Sequence, residues 1–151
     1  MTIRKKVQVW IYTYNSTLQT YSFLILFTNP TRGKFWQPVT GSVENAESLV
    51  DAALREAQEE TGLSFSKQPQ PLGDPFEFKS QWAGDVKEYG FSLEVDSIQN
   101  QTGSHVRVDP NEHTDFQWVS AAEALKMIAY PSNQQMLISL LERLGISAKE
   151  S

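Results

Sequence analysis

The sequence contains no cysteine. Disulfides, zinc–thiolate sites and thiol nucleophiles are therefore excluded, and nothing demands an oxidising compartment. Positive charge is also short: 13 Lys and Arg face 18 Asp and Glu, for a formal net charge of −5. Such a chain has no general electrostatic pull on nucleic acid. No apolar run approaches the ~20 residues of a membrane-spanning helix. The basic start, Met1 to Lys6, leads into a stretch broken by Gln8, Tyr12 and Asn15, with no small-residue cleavage site after it. It is expected to be a strand rather than a signal peptide, and the cytoplasm is the expected location. There is no internal repeat or heptad array, and 151 residues suit a single domain over 1–151.

Periodicity supplies the elements. Val7, Val9 and Ile11 alternate with Gln8, Trp10 and Tyr12 in a strand of period two. Tyr21 to Thr28 is a nearly continuous apolar run, as in a buried strand. Pro38 disfavours helix in Phe35–Gly41, which is expected to be extended. Asn45 offers a helix N-cap, with Glu47 and Asp51 near the positive end of the dipole and Gly62 as the left-handed stop. Leu49, Ala53 and Ala57 form its apolar face. Gln68–Pro75 reads as a loop, Phe76–Ser80, Glu88–Asp96 and Phe116–Val119 as strands, and Ser97–Asn111 as a mobile loop containing an ordinary histidine, His105. Ser120 and Glu123 form a capping box. Ser132 or Asn133 is expected to cap the last helix, which Gly145 ends, with lining of a pocket as the alternative role for both. Strands interleaved with a few helices predict an α/β fold, a mixed sheet covered by helices.

The helix before Gly62 carries Arg55-Glu56-Ala57-Gln58-Glu59-Glu60. Glu56, Glu59 and Glu60 share one face at spacings of three and four. Close like charges repel, and they lie toward the negative end of the helix dipole, where anions are disfavoured. Oxygen ligands at this spacing suit a hard cation such as Mg²⁺ or Mn²⁺. Taken alone, three such residues are more simply read as solvated glutamates on an exposed face.

The surrounding spacing decides between these. Gly41, five residues, Glu47, seven residues, Arg55-Glu56-Ala57, one residue, Glu59-Glu60, one residue, Gly62-Leu63 resembles the Nudix box, G-x5-E-x7-R-E-U-x-E-E-x-G-U, with U a bulky aliphatic residue. Ala57 is the one soft departure. The resemblance implies a Nudix fold, an α/β/α sandwich around a mixed sheet, and hydrolysis of a diphosphate linkage with Mg²⁺, or Mn²⁺ in its place. It implies metal binding by Glu56, Glu59 and Glu60, with a further ligand from the Gly41 carbonyl. Arg55 would hold Glu56 or Glu59, Glu47 would support the loop, and Gly41 and Gly62 would serve backbone conformation. Glu112, before an aromatic-x-Trp strand as in several Nudix subfamilies, would be a further metal ligand or the general base, with His113 orienting its loop. Homodimers are common in this family.

Phe35-Trp36-Gln37-Pro38-Val39-Thr40-Gly41-Ser42-Val43-Glu44 is similar to the segment found in bacterial dihydroneopterin triphosphate diphosphatases. The similarity extends to Glu112-His113, Trp118 and Ser132-Asn133-x-Gln135. It implies conversion of a triphosphate to a monophosphate and pyrophosphate. Trp36 is then a candidate to stack on the substrate ring, though a Trp beside Phe and before Pro is as often a core residue, and Gln37 and Thr40 are candidates to hydrogen-bond the substrate. Arg32 and Lys34 are candidate phosphate partners, as are Arg4, Lys5 and Lys6. The chain departs from that subfamily in having Phe27-Thr28-Asn29-Pro30 where arginines are usual. Nucleoside triphosphates, dinucleoside polyphosphates and RNA 5′-triphosphate ends are alternative substrates, RNA being disfavoured by the acidic charge. A non-catalytic nucleotide-binding module is a further alternative, but such modules usually lose the box glutamates.

Overall fold

A computed structural model of the chain describes residues 3–81, 84–96 and 106–147. Strand β1 (Arg4–Asn15) runs through the middle of a mixed sheet. It pairs antiparallel with β2 (Thr20–Thr28) and parallel with β6 (Gly84–Glu94), and β5 (Gln70–Ser80) completes that side. Two short strands, β3 (Trp36–Gln37) and β4 (Val39–Ser42), pair with β2 and β1, and β7 (His113–Val119) pairs with β2. Pro38 separates β3 from β4, in keeping with the extended segment expected there.

The strict alternation in β1 explains the two layers of helix. Val7, Val9 and Ile11 point to one face, where Ala52, Ala53 and Ala57 of α1 (Leu49–Thr61) pack. Trp10 points to the other, against Met136, Leu137 and Leu140 of α3 (Pro131–Leu144) and Ala121 and Ala124 of α2 (Ala121–Met127). Both faces of β1 are thus covered, and the architecture is the expected α/β/α sandwich.

β1 and β2 pair only from Tyr12 to Asn15. Toward its start β1 turns to β4, while β2 continues beside β3 and β7. The divergence leaves a cleft beside the N-terminus of α3.

Several local expectations are corrected. The first helix begins at Leu49 with Ser48 as its cap, whose hydroxyl accepts from the Asp51 amide at 3.1 Å. Asn45 lies in a turn, and Ala46 has φ 65°. Glu47 precedes the helix because its carboxylate is committed to Arg55 and the Glu44 amide. Gly62 does take the left-handed stop, φ 70°, and returns its amide to Gln58. The Gln68–Pro75 loop is largely the first half of β5. Two prolines are tolerated because β5 is the edge strand and its register shifts between Leu72 and Phe76. β6 starts at Gly84 rather than Glu88. Neither Ser132 nor Asn133 caps α3: Tyr130 takes that position without a side-chain bond, and Pro131 is the first helical residue. Of the expected loop Ser97–Asn111, residues 97–105, His105 included, lie outside the described residues. Val106, in its second half, is buried in the α1-side core, and the Arg107 amide bonds the Thr61 carbonyl at 2.7 Å.

Candidate active site

The carboxylates of α1 are sorted by Arg55. Its guanidinium donates Nε–H to Glu47 Oε2 at 2.7 Å and Nη2–H to Glu47 Oε1 at 3.0 Å. Nη1–H reaches Glu56 Oε1 at 2.8 Å and Glu59 Oε2 at 3.2 Å, and Nη2–H also reaches the Ser42 carbonyl at 2.9 Å. One planar cation thus ties the helix to the loop before it and holds two glutamates together. The Arg55 hydrogen bonds, with the Glu44 amide, hold the Glu47 carboxyl at about 2.

Glu56 and Glu60, one turn apart, face inward, whereas the Glu59 side chain is 59% exposed. The Glu56 carboxyl lies directly over Gly41: a β-carbon added at Gly41 would overlap the Glu56 carboxyl carbon. Gly41 is not among the glycines at positive φ. Glycine is required here by close approach, not by the backbone conformation expected of it. Burial pushes the Glu56 pKa up, against the opposing effect of Arg55.

Glu60 is only 2% exposed, and neither carboxylate oxygen has a hydrogen-bond partner among the described residues. Burial, then the charge of Glu56 and the close Glu112 carboxyl, pushes its pKa up to about 10, with the Thr40 backbone opposing. Glu112 arrives from the turn before β7, fixed by an ion pair with Arg32 at 3.0 Å and by its carbonyl accepting from the Asn29 amide. The next residue, His113, is buried. Its Nε2 lies 2.9 Å from Gln37 Nε2 and its Nδ1 3.5 Å from Glu60 Oε1, without a hydrogen bond at Nδ1. The Gln37 amide donates to Nε2, which places the ring proton on Nδ1, facing Glu60. Burial lowers the His113 pKa.

Ligand atoms of Glu60, Glu112 and His113 lie within 4.8 Å of one another. Three buried atoms without partners, Glu60 Oε1 and Oε2 and His113 Nδ1, form one group. Unpaired buried polar atoms are costly, and a hard divalent cation on the carboxylates removes that cost for the two Glu60 oxygens. The donor set fits such an ion. His113, expected only to orient its loop, stands inside the acidic group. A histidine directly after a candidate ligand was the only sequence signal for this.

Beside this group the cleft between β1 and β2 encloses about 650 Å³. Gln37, Thr40 and Arg32 line it, as does Lys6 of the basic start. Trp36 and Lys34 do not. Trp36 is on the opposite side of β3 from Gln37, packs on Phe27 with ring centroids 5.0 Å apart, and lies half-buried against the α2–α3 core. Phe35, Phe76, Phe78 and Tyr130 supply the aromatic walls instead. Glu88 also lines the cleft and was not identified as a site residue from sequence, whereas Ser132 and Asn133 line it in the alternative role expected for them. Asn133 is 3% exposed and donates to Gln8 Oε1 at 3.3 Å.

The two roles of charge here separate by experiment. Glu47→Gln is expected to lower the melting temperature at neutral pH with turnover largely retained. The folded-state pKa of about 2 lies below the ordinary 4.5. The contribution is therefore present above pH 4.5 and lost as pH falls toward 2, so wild type and variant should converge there in circular-dichroism melts. A large rate loss at unchanged melting would assign Glu47 to catalysis instead.

Fold and site together define a class: α/β/α sandwiches that gather carboxylates at one helix beside a ligand-sized cleft. Within it, the chain belongs to the Nudix family, since residues 4–140 match the NUDIX domain. It is 33% identical over 115 residues to a dihydroneopterin triphosphate diphosphatase of Haemophilus influenzae, covering 68% of each chain. It is 35% identical over 114 residues to an octanoyltransferase of Myxococcus xanthus, covering 71% of this chain but 29% of that relative, so the chain spans under a third of that protein's length. A solved structure from Listeria monocytogenes, described as a NUDIX hydrolase, superposes with a TM-score of 0.78 at 25% identity, covering 96% of this chain and 95% of the other.

Proposed function

We propose that the protein is an Mg²⁺-dependent pyrophosphohydrolase of small nucleoside-triphosphate-like molecules, with dihydroneopterin triphosphate as substrate and its monophosphate and pyrophosphate as products. The observation that carries this reading is Glu60, buried without a partner, beside Glu56 and Glu112 at the edge of an aromatic-walled cleft. Glu56, Glu60 and Glu112 would hold the cation, with Arg55 fixing Glu56 and Gly41 leaving it room. A divalent cation supplies neutralisation of phosphate charge and a more acidic water. Arg32 and Lys6 line the cleft where a polyphosphate's negative charge would otherwise meet an acidic protein. Glu112 is the most exposed of the three inward carboxylates, 32% against 13% for Glu56 and 3% for Glu60. In this reading Glu112 would take a proton from an attacking water. The aromatic walls would receive the ring and exclude solvent around it. The relative from H. influenzae supports the pterin substrate. No helix among the described residues is long and apolar enough to cross a membrane, and we place the reaction in the cytoplasm.

The test is pyrophosphate and phosphate release from dihydroneopterin triphosphate, the nucleoside triphosphates, diadenosine polyphosphates and triphosphorylated RNA, with and without Mg²⁺. Mg²⁺-dependent pyrophosphate release, fastest on the pterin, is expected. Faster turnover of another substrate would discard the pterin and keep the chemistry. No turnover of any, with tight binding of one, would make the protein a binding module.

A further inference from the structure

The floor of the cleft holds a carboxylate that the hydrolytic chemistry does not use. Glu88 is 5% exposed, on β6, with Lys6 of β1 and Phe76 of β5 as its cross-strand neighbours. Its Oε2 accepts from Gln8 Nε2 at 2.7 Å. The orientation of that amide is fixed from behind, because Gln8 Oε1 already receives Trp10 Nε1–H at 3.1 Å and Asn133 Nδ2–H at 3.3 Å. With its oxygen occupied by two donors, Gln8 can offer Glu88 only N–H. Glu88 is therefore held as an acceptor. Its Oε1 makes no hydrogen bond among the described residues, and no cation lies within 4.0 Å of it among them. Burial raises the Glu88 pKa, against the opposing effects of Lys6 and the Gln8 amide.

Burying a carboxylate under aromatic walls is costly unless it is paired. The fold itself needs only the neutral group that Gln8 could bind equally well. The walls also point to a ligand. Phe78 and Tyr130, which line the cleft, are 42% and 50% exposed, and Tyr130 meets Phe35 edge-on at 5.0 Å. Exposed ring faces flanking a 650 Å³ space suit a flat heterocycle. A carboxylate at its floor suits an edge with two parallel donors.

We propose that Glu88 reads the substrate ring, selecting heterocycles that present a ring N–H beside an exocyclic amino group, the edge shared by guanine and pterin, over rings such as adenine that present an acceptor there. The inference rests on the hydrolase reading for its substrate class, and it names the residue that sets ring specificity. The acidic group cuts the phosphate chain, and Glu88 determines which ring the chain is attached to. A site built around a hydrogen-bonding group rejects a ring lacking the complement, because its own buried group is then left unpaired.

The test uses the full chain and the α,β-methylene analogues of GTP and ATP, which bind without being cut between the α and β phosphates. Dissociation constants are measured by calorimetry in Mg²⁺ for wild type, Glu88→Gln and Glu88→Asp, with melting curves for each. Wild type is expected to bind the guanosine analogue at least about tenfold more tightly than the adenosine analogue. Glu88→Gln should remove that preference while changing adenosine binding by less than about threefold, and Glu88→Asp, which keeps the charge but retracts it, should weaken it. If the Gln variant does not fold, the Asp variant decides. Equal loss for both analogues, or no wild-type preference, would overturn the assignment. A guanosine preference without turnover of any triphosphate would overturn the hydrolase reading and leave Glu88 standing; turnover without a preference would do the reverse.

Discussion

Glu60→Gln is expected to abolish turnover and, at the same time, to raise the melting temperature of the metal-free protein at neutral and alkaline pH. In the folded chain burial and two neighbouring carboxylates raise the Glu60 pKa to about 10, against an ordinary 4.5. A pKa raised by folding means that the folded state binds the proton more tightly. The associated stability is fully present below pH 4.5 and is lost as pH rises toward 10. Glutamine keeps the shape and cannot ionise, so the metal-free variant should not lose stability over that interval. The charge would then be retained for the cation. Saturating Mg²⁺ should raise the wild-type melting temperature, by mass action on the folded state, and should not move that of the variant. Loss of several kcal/mol of stabilisation from the cation corresponds to a rate loss of about a thousandfold or more. Glu56→Gln should show a similar rate loss with a smaller gain in stability, because Arg55 offsets part of the burial that raises the Glu56 pKa. Fluorimetric melts at pH 6 and 9, with and without Mg²⁺, and pyrophosphate release measure these effects. A Glu60→Gln enzyme within tenfold of wild type would remove Glu60 from the metal site, as would a wild-type melting temperature indifferent to Mg²⁺.

Gly41→Ala is the second large effect. Its β-carbon would occupy the space of the Glu56 carboxyl. The obstructing atoms are the end of a flexible side chain, and the Gly41 backbone is not in the left-handed region. The fold can therefore respond by moving Glu56 aside, at a cost in stability of about 1–3 kcal/mol, typical of overpacking. Displacement by an ångström or more takes a ligand out of range, and the rate is expected to fall by about a hundredfold or more. The ratio of the two effects is diagnostic. A steep rise in the Mg²⁺ concentration needed for half-maximal rate, with modest change in melting, is expected. Unfolding without any change in Mg²⁺ dependence would make Gly41 a purely structural residue.

The site was unevenly legible in sequence. Glu56, Glu60 and Arg55 could be read because they lie on one helix, where spacing fixes the face and a local motif carries all three. Their division could not: that Glu60 is buried and Glu59 exposed depends on β7 bringing His113 and Glu112 against one side of α1. Trp36 illustrates the limit for aromatics. It and Phe35 are adjacent and equally suited to stacking, and strand alternation together with the position of α2 sends Trp36 against the core and Phe35 to the cleft. Asn133 suited a cap by type, but Pro131 starts the helix earlier and turns Asn133 onto Gln8. Gln8 and Glu88 were the least visible. Each sits on the polar half of an alternating strand, the half that ordinarily meets water. Nothing in either strand tells that a helix or a cleft covers it.

The sequence by itself determined what local periodicity and spacing can encode: the class of fold, the apolar face of β1, the stop at Gly62, and the order of carboxylates on one helix. These depend on neighbours within a turn or a strand pair, and the chain carries that information in a contiguous stretch. Only the tertiary structure decided which carboxylate lost its water, why Gly41 must be small, and what lies at the floor of the cleft. Those outcomes depend on contacts between distant segments, such as Glu60 with His113 and Gln8 with Asn133. Burial, on which the roles proposed for Glu60 and Glu88 rest, is a property of the whole assembled molecule.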